Sequence, residues 1–297
     1  MLIFVTGGTG FVGTQVVKQL LGEGYQVVGL ARSDKAADAL TRAGAQVHRG
    51  RVEDLESLTS GAKMADAVVH LAMNHENIEN RFPEAAREEQ NAVRALGEAL
   101  EGTGKPFVVT TGMPSNGDSD LIETVLGFLP EPLAPRLIVD TIVMSFVDRG
   151  VKSMIVRLPP TVHGKGDVIG FIPCHIDIAK RTGVAGYVGE GNAKWSGVNV
   201  QDAARLYIIA LQKGRAGDRF HAVNRLTSVK EIAEKIGDKL QLPVKSIPKE
   251  EAAAHFGPLF GLMQQMDQKV STELTRKTGW EPIHGNILEN MDTVYFD

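Results

Sequence analysis

Three glycines near the start of the chain have the spacing of a phosphate-binding turn. Residues 5–13 read Val-Thr-Gly-Gly-Thr-Gly-Phe-Val-Gly, between a short apolar run and an amphipathic segment. In a strand–turn–helix unit, the first glycine permits the tight turn, the second lets a diphosphate approach the backbone, and the third lets the helix pack on the strand. Free N–H groups at the helix start attract the phosphates. The residues predicted to bind a dinucleotide here are Gly7, Thr9, Gly10, Phe11, Val12 and Gly13. An ordinary tight turn is the alternative.

The side chains after the second apolar run decide which dinucleotide fits. A carboxylate there would bind the adenosine ribose of NAD, but the chain has Leu30-Ala31-Arg32-Ser33. The guanidinium of Arg32 can bind the 2′-phosphate of NADP with two hydrogen bonds, and the Ser33 hydroxyl can add another. We therefore expect NADPH or NADP as the cofactor, in preference to NAD. A solvated arginine at a strand end is the alternative.

Apolar runs alternate with amphipathic segments along the first half of the chain. In the first amphipathic segment, Val12, Val16 and Leu20 share one helical face. This alternation predicts parallel strands with helices on both faces, because a parallel crossover needs about a dozen residues or more. Such a sheet binds ligands beyond the carboxyl ends of its strands. The predicted strands are residues 2–5, 26–30, 45–48, 67–71, 107–110 and 153–156.

The pattern changes at about Gly164. A glycine-rich segment follows, then a helical and a strand-like pattern that return to the sheet, and finally helices joined by proline-bearing links. The prediction is an α/β fold, a Rossmann-type doubly wound parallel sheet with a smaller, discontinuous substrate-binding lobe. The sheet domain is assigned to residues 1–163 and 198–225, and the lobe to residues 164–197 and 226–297.

Composition excludes several classes of partner. A formal net charge of −4 gives no reason to expect nucleic acid or an anionic membrane. The single cysteine, Cys174, rules out an internal disulfide and suits a reducing compartment. We find no signal-peptide pattern and no apolar run near the ~18 residues of a membrane span, so a cytoplasmic location is expected.

The histidines have no metal-ligand spacing, so no metal site is expected. The expected partner is a small-molecule substrate. A late group of apolar side chains fits a helix core, a lid or a dimer face, which leaves a homodimer open. Its members are Phe256, Phe260, Leu262, Met263 and Met266.

Six motifs, in chain order, resemble the extended branch of the short-chain dehydrogenase/reductase superfamily, which contains nucleotide-sugar epimerases, dehydratases and reductases. Besides the glycine turn, His70-Leu71-Ala72 is similar to the segment under the adenosine ribose and diphosphate, and Thr110-Thr111-Gly112 to the strand end with the catalytic Ser or Thr. The resemblance implies cofactor contacts at Leu71, Ala72 and Thr110. The remaining matches are Asn91, residues 157–164 (Arg-Leu-Pro-Pro-Thr-Val-His-Gly) and residues 198–204.

The chain departs from the family after the third strand. Where the family has Gly-Asp near the adenine, this sequence has Gly50-Arg51-Val52-Glu53. Arg51 is expected to stack on the adenine or to add positive charge near the 2′-phosphate, and Val52 to flank it.

A larger departure concerns the chemistry. Family reductases carry Tyr-x-x-x-Lys about two dozen residues before the arginine stretch, where the tyrosine gives a proton to the substrate carbonyl and the lysine lowers its pKa. Counting back from Arg157 leads to Leu133 and Leu137, and the stretch between Lys105 and Lys152 holds neither tyrosine nor lysine. The pair is absent from the sequence.

Another group must therefore serve if the protein turns over a substrate. Thr111 can hydrogen-bond a carbonyl, and His163 takes the tyrosine position of the family's Val-Tyr-Gly stretch and titrates near neutrality. His75 is a weaker candidate, and Arg136 could supply positive charge without giving up a proton. A structural or solvated role is the alternative for each histidine.

Three functions remain after these observations. The first is an NADPH-dependent oxidoreductase of the extended type, acting on a small carbonyl-containing molecule. The second is a non-catalytic NADP(H)-binding sensor or regulator, which the missing Tyr and Lys favour. The third is a nucleotide-sugar epimerase or dehydratase, which normally prefers NAD and needs the tyrosine to begin oxidation.

Overall fold

A seven-stranded sheet forms the centre of the molecule. The computed structural model describes residues 1–76, 78–131 and 133–297, and every pair of neighbouring strands in this sheet is parallel. The six strands predicted from the apolar runs are all present, with ends within two residues of the prediction. In spatial order the strands are β10 (Arg219–His221), β6 (Lys152–Leu158), β5 (Pro106–Gly112), β4 (Ala67–His70), β1 (Leu2–Thr6), β2 (Gln26–Ala31) and β3 (Gln46–Arg49).

Helices cover both faces of the sheet, which confirms the predicted Rossmann-type fold. Their apolar faces and the strands form two clusters of buried side chains, one on each face. The strand order reverses between β1 and β4, and ligands of such sheets bind in the crevice beyond that point. One face carries α1 (Phe11–Gly22), α2 (Asp34–Ala43) and α7 (Val200–Lys213); the other carries α3 (Leu55–Met64), α4 (Ile78–Ala99) and α5 (Leu137–Ser145).

A kink near Arg81 bends α4 close to the sheet edge. The backbone of Arg81 is not helical (φ −123°, ψ 16°). Pro83 lies two residues later, and proline both lacks an N–H donor and clashes with the preceding turn. The kink therefore separates the short start of α4 from the long part that packs on the sheet.

A third apolar cluster lies outside the sheet and is built mostly from the segments assigned to the small lobe. Trp195 is fully buried there, and its indole N–H donates to the Met263 carbonyl (2.9 Å). Phe256, Phe260, Met263 and Met266 belong to the same core. The elements of this region are α6 (Phe171–Thr182), β8 (Ala185–Val188), α8 (Val229–Leu240), β12 (Val244–Ile247), α9 (Ala252–Phe256), α10 (Pro258–Met263), α11 (Glu273–Lys277) and α12 (Ile287–Met291).

A small sheet joins the lobe to the large sheet. It contains β7 (Thr161–His163), β9 (Lys194–Asn199) and β11 (Arg225–Ser228), with β9 in the middle. Both β9 and β11 cross the predicted boundaries at 197/198 and 225/226, so the division into two domains stays a prediction. Within the described ranges of the chain, no helix has the length and apolar character that a membrane span requires.

Candidate cofactor and active site

The glycine turn is packed so tightly that two of its glycines have no room for a side chain. Gly7 has a positive φ of 71°, and a Cβ on it would lie 2.8 Å from the backbone nitrogen of Ala72. A Cβ on Gly13 would lie 2.8 Å from the carbonyl carbon of Gly7. The turn is therefore held between the first helix and the end of β4, as close helix–strand packing requires.

The start of α1 presents its backbone N–H groups without a side-chain cap. The N-cap residue is Gly10, and no side-chain hydrogen bond caps the helix there. The first turn of α1, which lies wholly within the described residues, holds no acidic residue. Thr9 is exposed beside it, and Phe11 and Val12 are half-buried. Because uncapped N–H groups and the helix dipole attract anions, this end of α1 suits a diphosphate.

Positive charge lies at the ends of β2 and β3. Arg32 and Arg51 are both exposed, and neither guanidinium group makes a hydrogen bond or ion pair to any described residue. Ser33 is exposed too, but its hydroxyl caps α2 by accepting from the Ala36 N–H (3.2 Å). Val52 is half-buried next to Arg51. Two unpaired guanidinium groups thus stand where the adenosine end of a dinucleotide would lie.

The end of β4 is fixed to β1 by a side-chain hydrogen bond. His70 Nδ1 lies 2.8 Å from Thr6 Oγ1, and the same hydroxyl accepts weakly from the Ala72 N–H (3.4 Å). Leu71 and Ala72 are half-buried and border Gly7. Burial, with a smaller effect of the Arg136 charge, lowers the pKa of His70 to about 4, so the ring is neutral and its Nε2 has no partner among the described residues.

The two threonines at the end of β5 have different surroundings. Thr110 Oγ1 lies 2.7 Å from the hydroxyl of Tyr207 on α7, and both side chains are buried. The Thr111 hydroxyl is also buried, but it has no hydrogen-bond partner in the described parts of the chain. A buried hydroxyl without a partner is costly unless a ligand or water supplies one, so the Thr111 hydroxyl still has hydrogen-bonding capacity for a ligand or a water.

The structure does not support the predicted catalytic role of His163. Its side chain is fully buried, with Nδ1 3.4 Å from the Thr161 carbonyl oxygen and Nε2 3.2 Å from the Gly285 carbonyl oxygen. The Asn290 amide nitrogen lies 3.3 Å from Nε2. Burial lowers the pKa of this ring, and the two carbonyl groups oppose the effect. His163 therefore links β7 to Gly285 and Asn290, just before α12 and within it. Its side chain has no exposed surface that a substrate could contact.

Arg136 and Glu89 form an ion pair beside the end of β5. The two atoms Arg136 Nε and Glu89 Oε2 are 3.4 Å apart, and the Glu89 side chain is only 2% exposed. A Cβ on Gly112 would lie 3.8 Å from Arg136 Nη1. Burial raises the pKa of Glu89, and the charge of Arg136 opposes this rise. His75, the other weak candidate, is exposed after β4, and Asn91 is exposed on α4.

A buried network fixes the loop after β5 over the sheet edge. Arg157 donates to Asp140 Oδ2 from Nε (3.1 Å) and Nη2 (2.6 Å), and from Nη1 to the Val125 carbonyl (2.8 Å) and His221 Nε2 (3.2 Å). Since arginine can only donate, His221 accepts at Nε2, and its Nδ1–H donates to the Ser271 carbonyl (2.8 Å). Burial and then the charge of Arg157 lower the His221 pKa to about 3. Arg157 thus joins β6 to α5, to β10 and to the loop after β5.

Sequence reasoning missed three residues of this region. Glu89 follows Glu88 in an acidic pair, which on a helix usually faces solvent, but its side chain is buried. Tyr207 and Asp140 lie inside helical patterns, and their polar groups meet Thr110 and Arg157 from distant parts of the chain. A polar residue at a core position of a helical pattern is the signal that could have found Tyr207 and Asp140.

The residues at this edge fit an NAD(P) cofactor. The uncapped start of α1 and the narrow turn at Gly7 would hold a diphosphate, and the edge at Leu71 and Ala72 borders the same turn. A metal ion has no comparable site, because in residues 1–76, 78–131 and 133–297 no three side chains of His, Cys, Asp or Glu come together as ligands.

Comparison with known proteins agrees with this geometry. The uncharacterized protein C2A9.02 of Schizosaccharomyces pombe is 40% identical over 98% of both chains, and the uncharacterized protein YLL056C of Saccharomyces cerevisiae is 38% identical over 99% of both. The structure of dTDP-glucose 4,6-dehydratase from Bacillus anthracis in complex with NAD has the same fold, with a TM-score of 0.75 over 99% of this chain and 95% of that chain, at 16% identity. Residues 3–224 match the model of the NAD dependent epimerase/dehydratase family, and the chain belongs to this family.

Proposed function

We propose that the protein is an NADPH-dependent oxidoreductase that reduces a small carbonyl compound. The carrying observation is the pair of exposed, unpaired guanidinium groups of Arg32 and Arg51 at the strand ends next to the glycine turn. NADP differs from NAD by a 2′-phosphate on the adenosine ribose. An arginine side chain can bind such a phosphate through a bidentate pair of hydrogen bonds.

The size of the expected preference follows from the charges. A hydrogen bond between charged groups contributes about 1.5–3 kcal/mol, which corresponds to a factor of about 10 to 150 in affinity. Arg32 is exposed, so solvent and salt reduce its contribution toward the lower end. We therefore expect NADPH to bind at least about tenfold more tightly than NADH. The dTDP-glucose 4,6-dehydratase of similar fold is in complex with NAD, but it is only 16% identical to this chain. Its choice of cofactor therefore does not carry over to this protein.

The chemistry takes place at the end of β5. A bound reduced nicotinamide would supply a hydride to a carbonyl carbon. The unpartnered Thr111 hydroxyl can donate a hydrogen bond to the substrate oxygen there. A buried hydroxyl without a partner is rare in folded proteins. The Thr111 hydroxyl therefore favours a protein with a substrate site over one that binds only the nucleotide. A cytosolic location, where NADPH is available, is part of this proposal.

The cofactor preference is tested by titrating the protein with NADPH and NADH and following nicotinamide fluorescence. In Arg32→Asp the preference for NADPH is expected to disappear, because a carboxylate repels the 2′-phosphate and can bind the free ribose hydroxyl instead. Arg42→Asp, on the exposed last turn of α2, is the matched control with the same change in net charge. Equal preference in the wild type and in Arg32→Asp would contradict the proposal.

Turnover is tested with NADPH and a panel of aldehydes and ketones by loss of the reduced-nicotinamide absorbance. Consumption of NADPH that depends on the carbonyl compound supports the reductase. Tight NADPH binding without consumption on any member of a broad panel would instead favour the NADP(H) sensor.

A further inference from the structure

We propose that Arg136 is the catalytic group that stabilises negative charge on the substrate oxygen, in the absence of the family's Tyr and Lys. The proposal rests on the proposed reductase function. Arg136 lies in the short helical turn directly before α5 (residues 134–136) and reaches the sheet edge at Gly112, 3.8 Å from a Cβ built there. Gly112 directly follows Thr111 at the end of β5, so the guanidinium lies at the strand end that also carries the unpartnered Thr111 hydroxyl.

The charge of Arg136 is held in place by one buried partner. Glu89 Oε2 approaches Nε at 3.4 Å, and the Arg136 side chain is 22% exposed. None of its three side-chain nitrogens has a partner at hydrogen-bond geometry among the described residues, because the contact of Nε with Glu89 is an ion pair only. A surface arginine would keep these groups in water, whereas here the ion pair points them toward the end of β5. The N–H groups of Nη1 are therefore available to a ligand at that edge.

The charge of Arg136 acts on two buried groups near the end of β5. Burial lowers the pKa of His70 on β4, and the charge of Arg136 lowers it further by a smaller amount. On α7, burial raises the pKa of Tyr207, and the charge of Arg136 opposes that rise. Its charge therefore acts on one group of the sheet and on one group of the helix that packs behind it. The His70 Nε2 and Thr111 Oγ1 atoms, both buried and without partners in the described chain, belong to the same edge.

The role follows from the chemistry of a carbonyl reduction. When hydride adds to the carbonyl carbon, the electron pair of the C=O π bond moves to the oxygen, which becomes an alkoxide. Arg136 and Thr111 donate hydrogen bonds to this oxygen, and a solvent water protonates it, leaving hydroxide to the buffer. Arginine keeps its proton at physiological pH, so it acts through charge, and the neutral His70 is a poor acid at that pH. Donors aimed at developing charge contribute about 10²–10³ in kcat each.

The test uses full-length Arg136→Gln and Arg136→Ala with NADPH and the aldehyde that the wild type reduces fastest. The dissociation constant for NADPH, measured by fluorescence without any substrate, is expected to stay within about twofold of the wild type, because Arg136 is placed at the carbonyl end. The kcat is expected to fall about 10²–10³-fold. Arg136→Lys keeps the positive charge but loses the planar pair of guanidinium donors, so its kcat should lie between those of the wild type and Arg136→Gln. Arg149→Gln, which removes an arginine from an exposed pair with Glu101 (2.6 Å), is the matched control and should behave as wild type.

Chemical rescue separates a catalytic guanidinium from a structural one. Free guanidinium ion at millimolar concentration is expected to restore part of the kcat of Arg136→Ala and none of that of Arg136→Lys. The inference is overturned if Arg136→Gln keeps the wild-type kcat, or if its loss is accompanied by an equal loss of NADPH affinity and by no rescue. Absence of NADPH consumption by the wild type itself would overturn the reductase proposal and this inference with it, which is a different result from wild-type turnover that ignores Arg136.

Discussion

Replacing Gly13 by alanine is the sharpest single test of the cofactor site. The added methyl carbon would lie 2.8 Å from the Gly7 carbonyl carbon, and it would overlap the carbonyl oxygen itself. The optimal separation of nonbonded carbon atoms is about 3.5–4.0 Å. The turn and the start of α1 must therefore separate by about 1 Å, since both partners are backbone and no flexible side chain can move away.

The separation translates into an expected loss of affinity. Hydrogen bonds to a phosphate oxygen need donor–acceptor distances of about 2.7–3.2 Å, so a shift of about 1 Å breaks those made by displaced amides. Losing one or two bonds to a charged group costs about 3 kcal/mol, or about 100-fold in the dissociation constant for NADPH. The strain in the folded state costs about 1–3 kcal/mol, which is less than the stability of an ordinary domain, so we expect the variant to fold.

Gly22→Ala is the matched control, because it makes the same substitution in the last turn of the same helix. A Cβ on Gly22 meets no atom of the described chain within 4 Å, and alanine has the higher helix propensity. We expect wild-type NADPH affinity and equal or slightly higher stability. NADPH fluorescence titration and urea unfolding of both variants measure the two effects. A folded Gly13→Ala that binds NADPH as tightly as Gly22→Ala would refute the assignment of the turn to the cofactor.

Two further predictions concern buried charge. Asp140→Asn should lower the free energy of unfolding by about 3 kcal/mol in urea melts, because it leaves the fully buried Arg157 guanidinium without its carboxylate; a loss below about 1 kcal/mol would contradict this account. Acid should also destabilise the fold steeply. Burial lowers the folded-state pKa values of His70, His175 and His221 to about 4, about 4 and about 3, from 6.5. The unfolded chain therefore binds protons first, and stability is lost as the pH falls from about 6.5 toward about 4, by up to about 4 kcal/mol per pH unit for the three rings. Urea midpoints at about pH 7 and about pH 5 measure the slope, and equal midpoints would exclude neutral buried histidines.

Features that depend on neighbouring residues could be predicted from the sequence. The strands are short apolar runs, and the glycine turn is specified by the steric needs of Gly7 and Gly13 within one strand–helix unit. The positive charge at Arg32 and Arg51 follows from the same local reading, because the end of a parallel strand always faces the ligand side. NADP preference itself stays a prediction, since it depends on a ligand contact.

Features that depend on distant contacts could not be predicted. His163 resembled a catalytic residue by its place in a motif, but residues 285 and 290, more than a hundred positions later, bury its ring. Glu89 has a residue type and an acidic neighbour typical of a solvated helix face, although Arg136 from another element approaches it. A one-dimensional pattern reports which face of a helix is apolar, and it does not report which segment will later cover a polar group on that face.

The burial of Leu133 decides how the missing tyrosine should be understood. Leu133 stands at the tyrosine position of the family, but its side chain is 7% exposed and packs in the apolar cluster of the lobe with Phe82 and Ile172. Leu133→Tyr would therefore place a hydroxyl among apolar side chains, at a cost, and would not create a proton donor at the sheet edge. We expect no gain in NADPH-dependent turnover from this variant, alone or with Leu137→Lys. A gain would mean that the backbone of this segment still follows the family's geometry and that only the two side chains are lost. No gain, together with a loss in Arg136→Gln, would mean that charge stabilisation has replaced proton donation at this edge.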